Sequence, residues 1–404
     1  MIDIKYLYKA ANKAGQTVEG LIEANDKQSV VRALRAKSLY LIDLSDANPN
    51  SSMDISIGSA KIPKKTLAVF CTQFASVLRA GVPLIQTLTI MEEQMENPKL
   101  KKIVQSVGED LQRGRSLSDA FSAHERALPS MMIKMIEAGE LSGTLDISLQ
   151  RLALHFEKEY AITKKIKSAM MYPIVITVVA LLVVVFLLIF VVPSFSKIFE
   201  DTGKELPGIT KFVLSLSDSI TDGWLFILGF LVVIIALFRL YKNSDAGRLQ
   251  LDRFKLKAPV IGKASIRILT ARLSRTLSTL TGSGINLTQS IRIASKVVSN
   301  KHAEDRLLDV EDSIKQGKTL HTAIKGAAIF PNMLMHMTKI GEESGTLDEM
   351  LERSAEYFEE EADSAITKVT TLLQPILLVF VAALVLFIIL SVMLPMFSMY
   401  NNIV

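Results

Sequence analysis

Residues 172–195 read YPIVITVVALLVVVFLLIFVVPSF, and residues 374–397 read QPILLVFVAALVLFIILSVMLPMF. The first lies within 29 consecutive uncharged residues between Lys167 and Lys197, the second within the 36 that follow Lys368. About 20 apolar residues in a helix cross the roughly 30 Å hydrocarbon core of a bilayer, so each stretch is long enough to span. The chain is therefore expected to be an integral membrane protein. The two stretches also answer each other. Pro173 matches Pro375, and Val192-Pro193-Ser194-Phe195 matches Leu394-Pro395-Met396-Phe397, both at a separation of 202.

The correspondence extends upstream. GVPLIQTL at 81–88 matches GINLTQSI at 284–291, and GRSLSDAF at 114–121 matches GKTLHTAI at 317–324, each shifted by 203; AGELSGTLD at 138–146 matches IGEESGTLD at 340–348, shifted by 202. A net deletion of one residue between 121 and 129 accounts for the change. The chain is thus read as a duplication, about 64–196 and 267–398, each unit a polar domain feeding an apolar helix. Within a unit the period is helical. Leu67, Phe70, Cys71, Phe74, Val77 and Leu78 form one stripe, repeated by Ile266, Leu269, Leu273, Leu277 and Leu280. Gly81 and Gly284 are placed to end that helix. Gly114 with Ser116, and Gly317 with Thr319, read as a helix-ending glycine followed by a capping hydroxyl. Each polar unit is expected to be an all-α bundle of about six helices.

A third apolar stretch, Trp224 to Tyr241, is shorter and carries Arg239 near its end, where the side chain can reach the interface. It would return the chain so that both units share one orientation. Lys158, Lys164, Lys165 and Lys167 precede the first span, and Arg239, Lys242, Arg248, Arg253, Lys255, Lys257 and Lys263 follow the second. Residues 193–223 hold three basic residues against five acids. By the positive-inside rule both bundles and the N-terminus face the cytoplasm, and the 193–223 loop and the C-terminus lie outside.

Residues 1–44 alternate as a hairpin around an Ala-Gly turn, then a short helix near 26–37 and a strand from Leu39 to Leu44. The polar run SDANPNSSMDISIGSA at 45–60 reads as a linker. The expected architecture is mainly α: a polytopic membrane protein with three transmembrane helices and two duplicated cytoplasmic helical bundles, plus a small N-terminal α+β module. The segments are 1–44 module, 45–63 linker, 64–168 first bundle, 169–196 first span, 197–222 outer loop, 223–241 second span, 242–368 second bundle, 369–398 third span and 399–404 outer tail.

The 404 residues are 49% hydrophobic and include one cysteine, Cys71, which excludes an intrachain disulfide and a cysteine-based metal site. The five histidines show no metal-binding spacing, and the start, MIDIKYLYKAANK, has no apolar core of a cleavable signal. The net charge of +5 is not gathered into a basic tail, so direct nucleic-acid binding is not expected. Gly317-Lys318-Thr319 invites a phosphate-loop reading, but the position five residues earlier is Asp312 rather than glycine, and a helix-to-helix turn is expected. The paired segments EAGELSGTLD and KIGEESGTLD read as turns in which Gly139 or Gly341 ends a helix, Gly143 or Gly345 makes the bend, and Thr144 or Thr346 caps the next helix. An overlapping reading makes them exposed docking turns, with Glu137, Gly139, Glu140, Ser142, Gly143, Gly341, Glu342, Ser344 and Gly345 as the candidate partner-binding residues. Calcium ligation by Glu137, Glu140 and Asp146 is the competing reading, but the second unit has Lys339 where the first has Glu137, and no metal or cofactor is expected. The acidic run Glu359-Glu360-Glu361-Asp363 is read as a solvated helix face or an acid patch for a basic partner. Methionines 131, 132 and 135, and 333, 335 and 337, are expected to fill cores. The spans carry no Asp, Glu, Lys or His, which argues against a proton pump, an intramembrane protease or an ion-coupled carrier. No nucleophile–base arrangement is apparent, and an enzyme is not expected. A transporter or channel subunit is the alternative, with Thr177 and Ser391 almost the only polar residues in the long spans.

The layout resembles the type II secretion F family, the inner-membrane platform proteins of type II secretion systems and type IV pili. FCTQFASVLRAGVPLIQTL (70–88), EAGELSGTLD (137–146), SAMMYPIVI (168–176), IGEESGTLD (340–348) and LLQPILLVF (372–380) carry the resemblance, and YLYKAANKAGQTVEGLIEA is similar to that family's opening module. The second unit departs from it at Asn286, where the first has Pro83. The resemblance implies a platform in the bacterial inner membrane, coupling a cytoplasmic assembly or retraction ATPase to the insertion of pilin or pseudopilin subunits into a filament. It implies contact with pilin transmembrane helices, with other inner-membrane assembly proteins and with lipid, and a homodimer or small homo-oligomer.

Overall fold

The computed structural model describes residues 4–11, 17–24, 29, 30, 32, 34, 40–46, 61–194 and 208–400. The Ala-Gly turn, most of the linker, part of the 197–222 loop and the last residues of the tail lie outside them. The chain divides into two units, residues 1–60 and 61–404. In the first, β1 (Ile4–Ala11) is central, antiparallel to β2 (Thr17–Ala24) on one side and β3 (Tyr40–Asp46) on the other. β1 meets β2 in register from Ile4 opposite Ala24 to Ala11 opposite Thr17, and a bulge between Lys9 and Ala10 interrupts its pairing with β3. Residues 29, 30, 32 and 34 are helical, within the span where the sequence places a helix, and Val30 and Leu34 are buried.

The described residues of the second unit form helices joined by turns, with no strand among them. Its first repeat comprises α1 (Lys64–Arg79), α2 (Leu84–Gln94), α3 (Pro98–Gln112), α4 (Leu117–Ser122), α5 (Ser130–Ser142) and α6 (Leu145–Phe186). Three connecting helices follow: α7 (Gly208–Asp222), α8 (Trp224–Asn243) and α9 (Asp245–Lys257). The second repeat then runs through α10 (Ile261–Thr281), α11 (Leu287–Val297), α12 (Lys301–Lys315), α13 (Leu320–Ala327), α14 (Asn332–Ser344) and α15 (Leu347–Tyr400). Gly81, Gly114 and Gly143 have positive φ, and so do Gly284, Gly317 and Gly345, which puts the same left-handed turns at the same places in both repeats. Asn286 takes over the role of Pro83: its side-chain oxygen accepts from the Gln289 N–H at 2.9 Å and caps α11.

Two features depart from the simplest picture of paired bundles. The bundle-to-span boundaries near 168 and 368 fall inside unbroken helices. α15 has 54 residues, about 80 Å at 1.5 Å per residue, so the polar bundle and the apolar stretch share one continuous helix. The first bundle's core is also not self-contained: Leu280, Ile285 and Ile293 of the second repeat pack into it.

α10 explains the second departure. It lies between α6 and α15 and is buried on nearly all sides, polar residues included: Thr270, Ser274, Arg275, Thr276, Ser278 and Thr279. The threonines tolerate this because Thr270, Thr276 and Thr279 each donate to the carbonyl four residues back, at 2.8, 2.7 and 2.6 Å. Amphipathic periodicity alone points to a single buried stripe, and these self-satisfied hydroxyls hide the second.

Prolines shape the far ends of the long helices. α6 passes through a π turn, Leu187–Val191, ahead of Pro193. Pro193 has no N–H to offer the Leu188 carbonyl, and the buried Ser217 hydroxyl of α7 donates to it instead at 2.6 Å. Pro395 similarly deprives the Ser391 carbonyl of its donor, and Thr210, seven residues before Ser217 and hence on the same face of α7, donates there at 2.7 Å. Val213 seals the junction against Leu188, Val192 and Ile388.

Candidate functional site

The paired turns are built alike. α5 ends at Gly143 (φ 69°) and α14 at Gly345 (φ 72°), both left-handed, and Ser142 and Ser344 donate back to Ala138 and Ile340 at 2.8 and 2.7 Å. Gly139 and Gly341 do not end their helices as the sequence suggests. They lie inside them and are small because the following helix crosses against them. A Cβ on Gly139 would meet Ser148 Oγ at 2.7 Å and Leu145 Cα at 3.0 Å, and one on Gly341 would meet Leu347 Cα at 2.8 Å. Thr144 makes no cap to α6; its hydroxyl pairs with that of Ser142 at 2.7 Å, as Thr346 pairs with Ser344 at 2.6 Å.

Glu140 and Glu342 have an internal partner that sequence reading misses. The Leu117 N–H donates to Glu140 Oε1 at 2.6 Å, and the Ser118 N–H and hydroxyl donate to Oε2 at 2.9 and 2.7 Å. In the second repeat the Leu320 N–H donates to Glu342 Oε1 at 2.5 Å and the His321 N–H to Oε2 at 2.9 Å. Each carboxylate thus closes the positive end of the short helix that follows the Gly114 or Gly317 turn. This also disposes of a phosphate loop at Gly317: the amides that would cradle phosphate hold the chain's own carboxylate. Glu137 is occupied separately, accepting from Lys134 Nζ at 2.6 Å. The residues brought together are therefore the corner-builders, and what each corner leaves exposed is its tip: Leu141, 84% exposed, with Ser142 and Gly143 in the first repeat, and Glu343, Ser344 and Gly345 in the second. Glu140→Ala is expected to lower stability by about 2 kcal/mol, the scale of hydrogen bonds to a charged group, and Glu140→Gln by about half that; thermal unfolding of the detergent-purified protein measures both.

The second constellation is an ion-pair seam where α6, α10 and α15 meet. Arg275, 4% exposed, donates through Nε to Glu359 Oε1 at 2.7 Å and through Nη2 to Oε2 at 3.1 Å, and also pairs with Glu352. The Ser278 hydroxyl donates to Glu352 Oε2 at 2.6 Å. Lys158 of the first repeat reaches Glu359 at 3.3 Å, and Lys165 pairs with Asp363. Arg272 Nε lies 3.1 Å from the buried Glu159, without the alignment of a hydrogen bond, and Lys64 pairs with the same carboxylate. Arg267 pairs with Glu361 at 2.9 Å. The acidic run is therefore not a freely solvated face. Glu359, Glu361 and Asp363 are matched by bases of the same chain, two of them on the first repeat's long helix.

Burial works against the Arg275 charge, but Glu359 and Glu352 more than offset it and hold its pKa above the ordinary value. Burial likewise raises the Glu352 carboxyl, and the Ser278 hydroxyl and Arg275 overcome it, leaving a net lowering. The Lys64 amine is lowered to about 8, by burial first and then by repulsion from Arg272 and Lys61.

His155 is buried beside this seam with Nδ1 unpartnered. Burial, then the charges of Lys64, Arg275 and Arg272, lower its pKa to about 3. The folded protein therefore keeps His155 neutral, while the unfolded chain takes up a proton below about pH 6.5. Stability is expected to fall as pH drops from 6.5 toward 5, by up to about 1.4 kcal/mol per unit from this group. His155→Leu flattens that slope in unfolding measured across the same range.

The third constellation is apolar. The 145–194 and 347–394 helices are long and apolar enough to cross a membrane, and their upper halves expose Ile174, Val178, Leu182 and Phe186, and Ile376, Phe380 and Leu386. α8 adds 20 residues that expose Phe226, Phe230 and Phe238.

Comparison with known proteins agrees with this duplicated plan. The family model for type II secretion system protein F matches residues 70–193 and again 273–395, and the model for that protein's N-terminal domain matches residues 4–45. The chain is 35% identical over 400 residues to the type IV pilus assembly protein PilC of Thermus thermophilus, covering 98% of each. It is 32% identical to PilC of Myxococcus xanthus over 396 residues, covering 98% of this chain and 95% of that one. It is also 32% identical over 397 residues to type II secretion system protein F of Vibrio cholerae, covering 98% of each. With both halves of the duplication and the N-terminal sheet accounted for, the chain belongs to the type II secretion system protein F family.

Proposed function

We propose that this chain is an inner-membrane platform of a type IV pilus or type II secretion machine. It couples a cytoplasmic assembly ATPase to the insertion of pilin or pseudopilin subunits into a filament and performs no catalysis of its own. Full-length similarity to relatives of both kinds supports the role. The observation that carries the mechanism is the continuity of α6 and α15 from bundle into span. A push or rotation applied to a bundle reaches the bilayer through an unbroken rod.

α8 is the second of three spans in this reading. Its 20 residues cover about 30 Å, and its only charges, Arg239 and Lys242, lie in its last turns. The basic flanks then set the bundles, 64–168 and 242–368, and the N-terminal module in the cytoplasm, and the 197–222 loop and the C-terminus outside. The tips of the two corners, Leu141 to Gly143 and Glu343 to Gly345, are the surface offered to the ATPase. The exposed apolar faces of the spans are offered to a second copy of the chain and to a pilin transmembrane helix.

Purification in mild detergent from the native host, after cross-linking, with mass spectrometry of what accompanies the chain, tests this. Recovery of a hexameric ATPase and a pilin-like subunit is expected. Recovery of neither overturns the platform role and turns attention to transport.

A further inference from the structure

α9 follows the second span with no slack. The Ser244 N–H closes α8 on the carbonyls of Leu240 and Tyr241, at 3.1 and 3.2 Å, while the Ser244 hydroxyl donates to Tyr241 O at 2.7 Å and accepts from the Gly247 N–H at 3.2 Å to open α9. Gly247 is pressed against the end of α8, where a Cβ would come within 2.0 Å of the Tyr241 carbonyl oxygen. The direction of α9 is therefore fixed at the point where α8 ends.

Its two faces are fixed as well. On one, Asp252 is buried against the second bundle: its carboxylate accepts from the Lys301 N–H at 2.9 Å and its carbonyl from Asn300 Nδ2 at 3.2 Å. On the other, Gln250 Oε1 accepts from the Tyr241 hydroxyl at 2.7 Å, so this face looks toward the aromatic end of α8. One turn further along it stands Phe254, 70% exposed, flanked by exposed Arg253 and Lys257. Val260 and Ile261, both exposed, and Lys263 continue the pattern past the helix. Among the described residues no carboxylate lies within ion-pair distance of Arg253 or Lys257, whereas Lys255, on the flank toward the bundle, pairs with Asp252 at 2.7 Å. An exposed aromatic ring flanked by cations without carboxylate partners, one turn on from the contact with the end of α8, is what a helix resting on an anionic membrane surface presents.

We propose that α9 and the turn after it lie on the cytoplasmic leaflet and bind anionic phospholipid headgroups, with Arg253 and Lys257 at the phosphates and Phe254 among the upper acyl chains. This rests on the reading of α8 as a span. Charge complementarity and the rigid join to α8 select lipid as the occupant. The consequence is a lipid contact at the base of the second bundle, which fixes where that bundle meets the bilayer.

The full chain carries one tryptophan, so Trp224→Phe gives a silent background for fluorescence. Into it are placed Phe254→Trp or, separately, Phe230→Trp within α8, and each variant is reconstituted in vesicles of phosphatidylcholine and phosphatidylglycerol. Bromine is carried on the acyl chains of one lipid or the other at equal mole fraction. The tryptophan at 230 is expected to be quenched alike by both lipids. The tryptophan at 254 is expected to be quenched more by brominated phosphatidylglycerol. That preference should fall on the order of fivefold for each charge removed by Arg253→Gln and Lys257→Gln, and should shrink in high salt. Quenching at 230 with none at 254 overturns the interfacial helix and leaves an acidic protein partner as the occupant. Equal quenching at 254 by the two lipids overturns anionic recognition. Absence of quenching at 230 removes the span reading and the proposal with it.

Discussion

Arg275→Ala is expected to cost about 2–3 kcal/mol, because it removes the charged hydrogen bonds to Glu359 and Glu352 and leaves the largely buried Glu359 with Lys158 as its remaining cation. The loss should appear as a large fall in the unfolding temperature of the purified protein and as protease sensitivity of both repeats together, since α10 also contributes to the first bundle's core. Two controls separate the buried charge from general damage. Arg353→Ala removes an exposed pair with Glu349 on the same helix as Glu359, and is expected to change stability by less than about 0.5 kcal/mol. The combined variant Arg275→Met, Glu352→Gln, Glu359→Gln removes the charges as a set and should recover part of the loss. A single Arg275→Ala variant as stable as the parent contradicts the account of the seam.

Gly341→Val is expected to be comparably damaging, for a steric reason. Its first side-chain atom would lie 2.8 Å from Leu347 Cα, and backbone cannot swing aside as a flexible side chain does. α14 and α15 must separate, which opens the corner and pulls Glu342 from the amides of Leu320 and His321. A loss of about 3 kcal/mol or more follows from overpacking together with the broken cap. Gly345→Ala, strained only by its positive φ with open space around it, should cost about 1–2 kcal/mol. Unfolding of the two variants side by side checks the order; equal losses contradict the close-approach argument.

Much of the fold was legible because local chemistry and duplication point the same way. Gly81 and Gly284, Gly114 and Gly317, and Gly143 and Gly345 each end a helix where sequence alignment of the repeats places a turn. Ser116 and Thr319 cap the helices that follow. The methionines at 131, 132 and 135 are core residues, while 333, 335 and 337 are only half-buried, so the second set fills less than its position suggests.

What was not legible depends on long-range pairing. Glu140 closes a helix more than 20 positions upstream, a contact no spacing rule announces, although its recurrence as Glu342 is a trace of it. The acidic run before the apolar part of α15 reads as solvated in sequence because its partners, Lys158, Lys165, Arg267 and Arg275, sit on other helices. The basic run at the matching place in the first repeat was the available sign of complementarity. Gly139 and Gly341 were misread as helix ends because a glycine needed for close packing and a glycine needed for a turn look the same in sequence, and here they stand four residues apart.

The central claim is that bundle motion reaches the membrane through unbroken helices. Three glycines inserted after Lys368 interrupt α15 between its bundle and its span while leaving the seam and both cores upstream intact. In a host lacking its own copy, this variant is expected to accumulate and to capture the ATPase and the pilin subunit, yet to support no filament assembly or secretion. Filaments at the level of the uninterrupted chain would contradict the account.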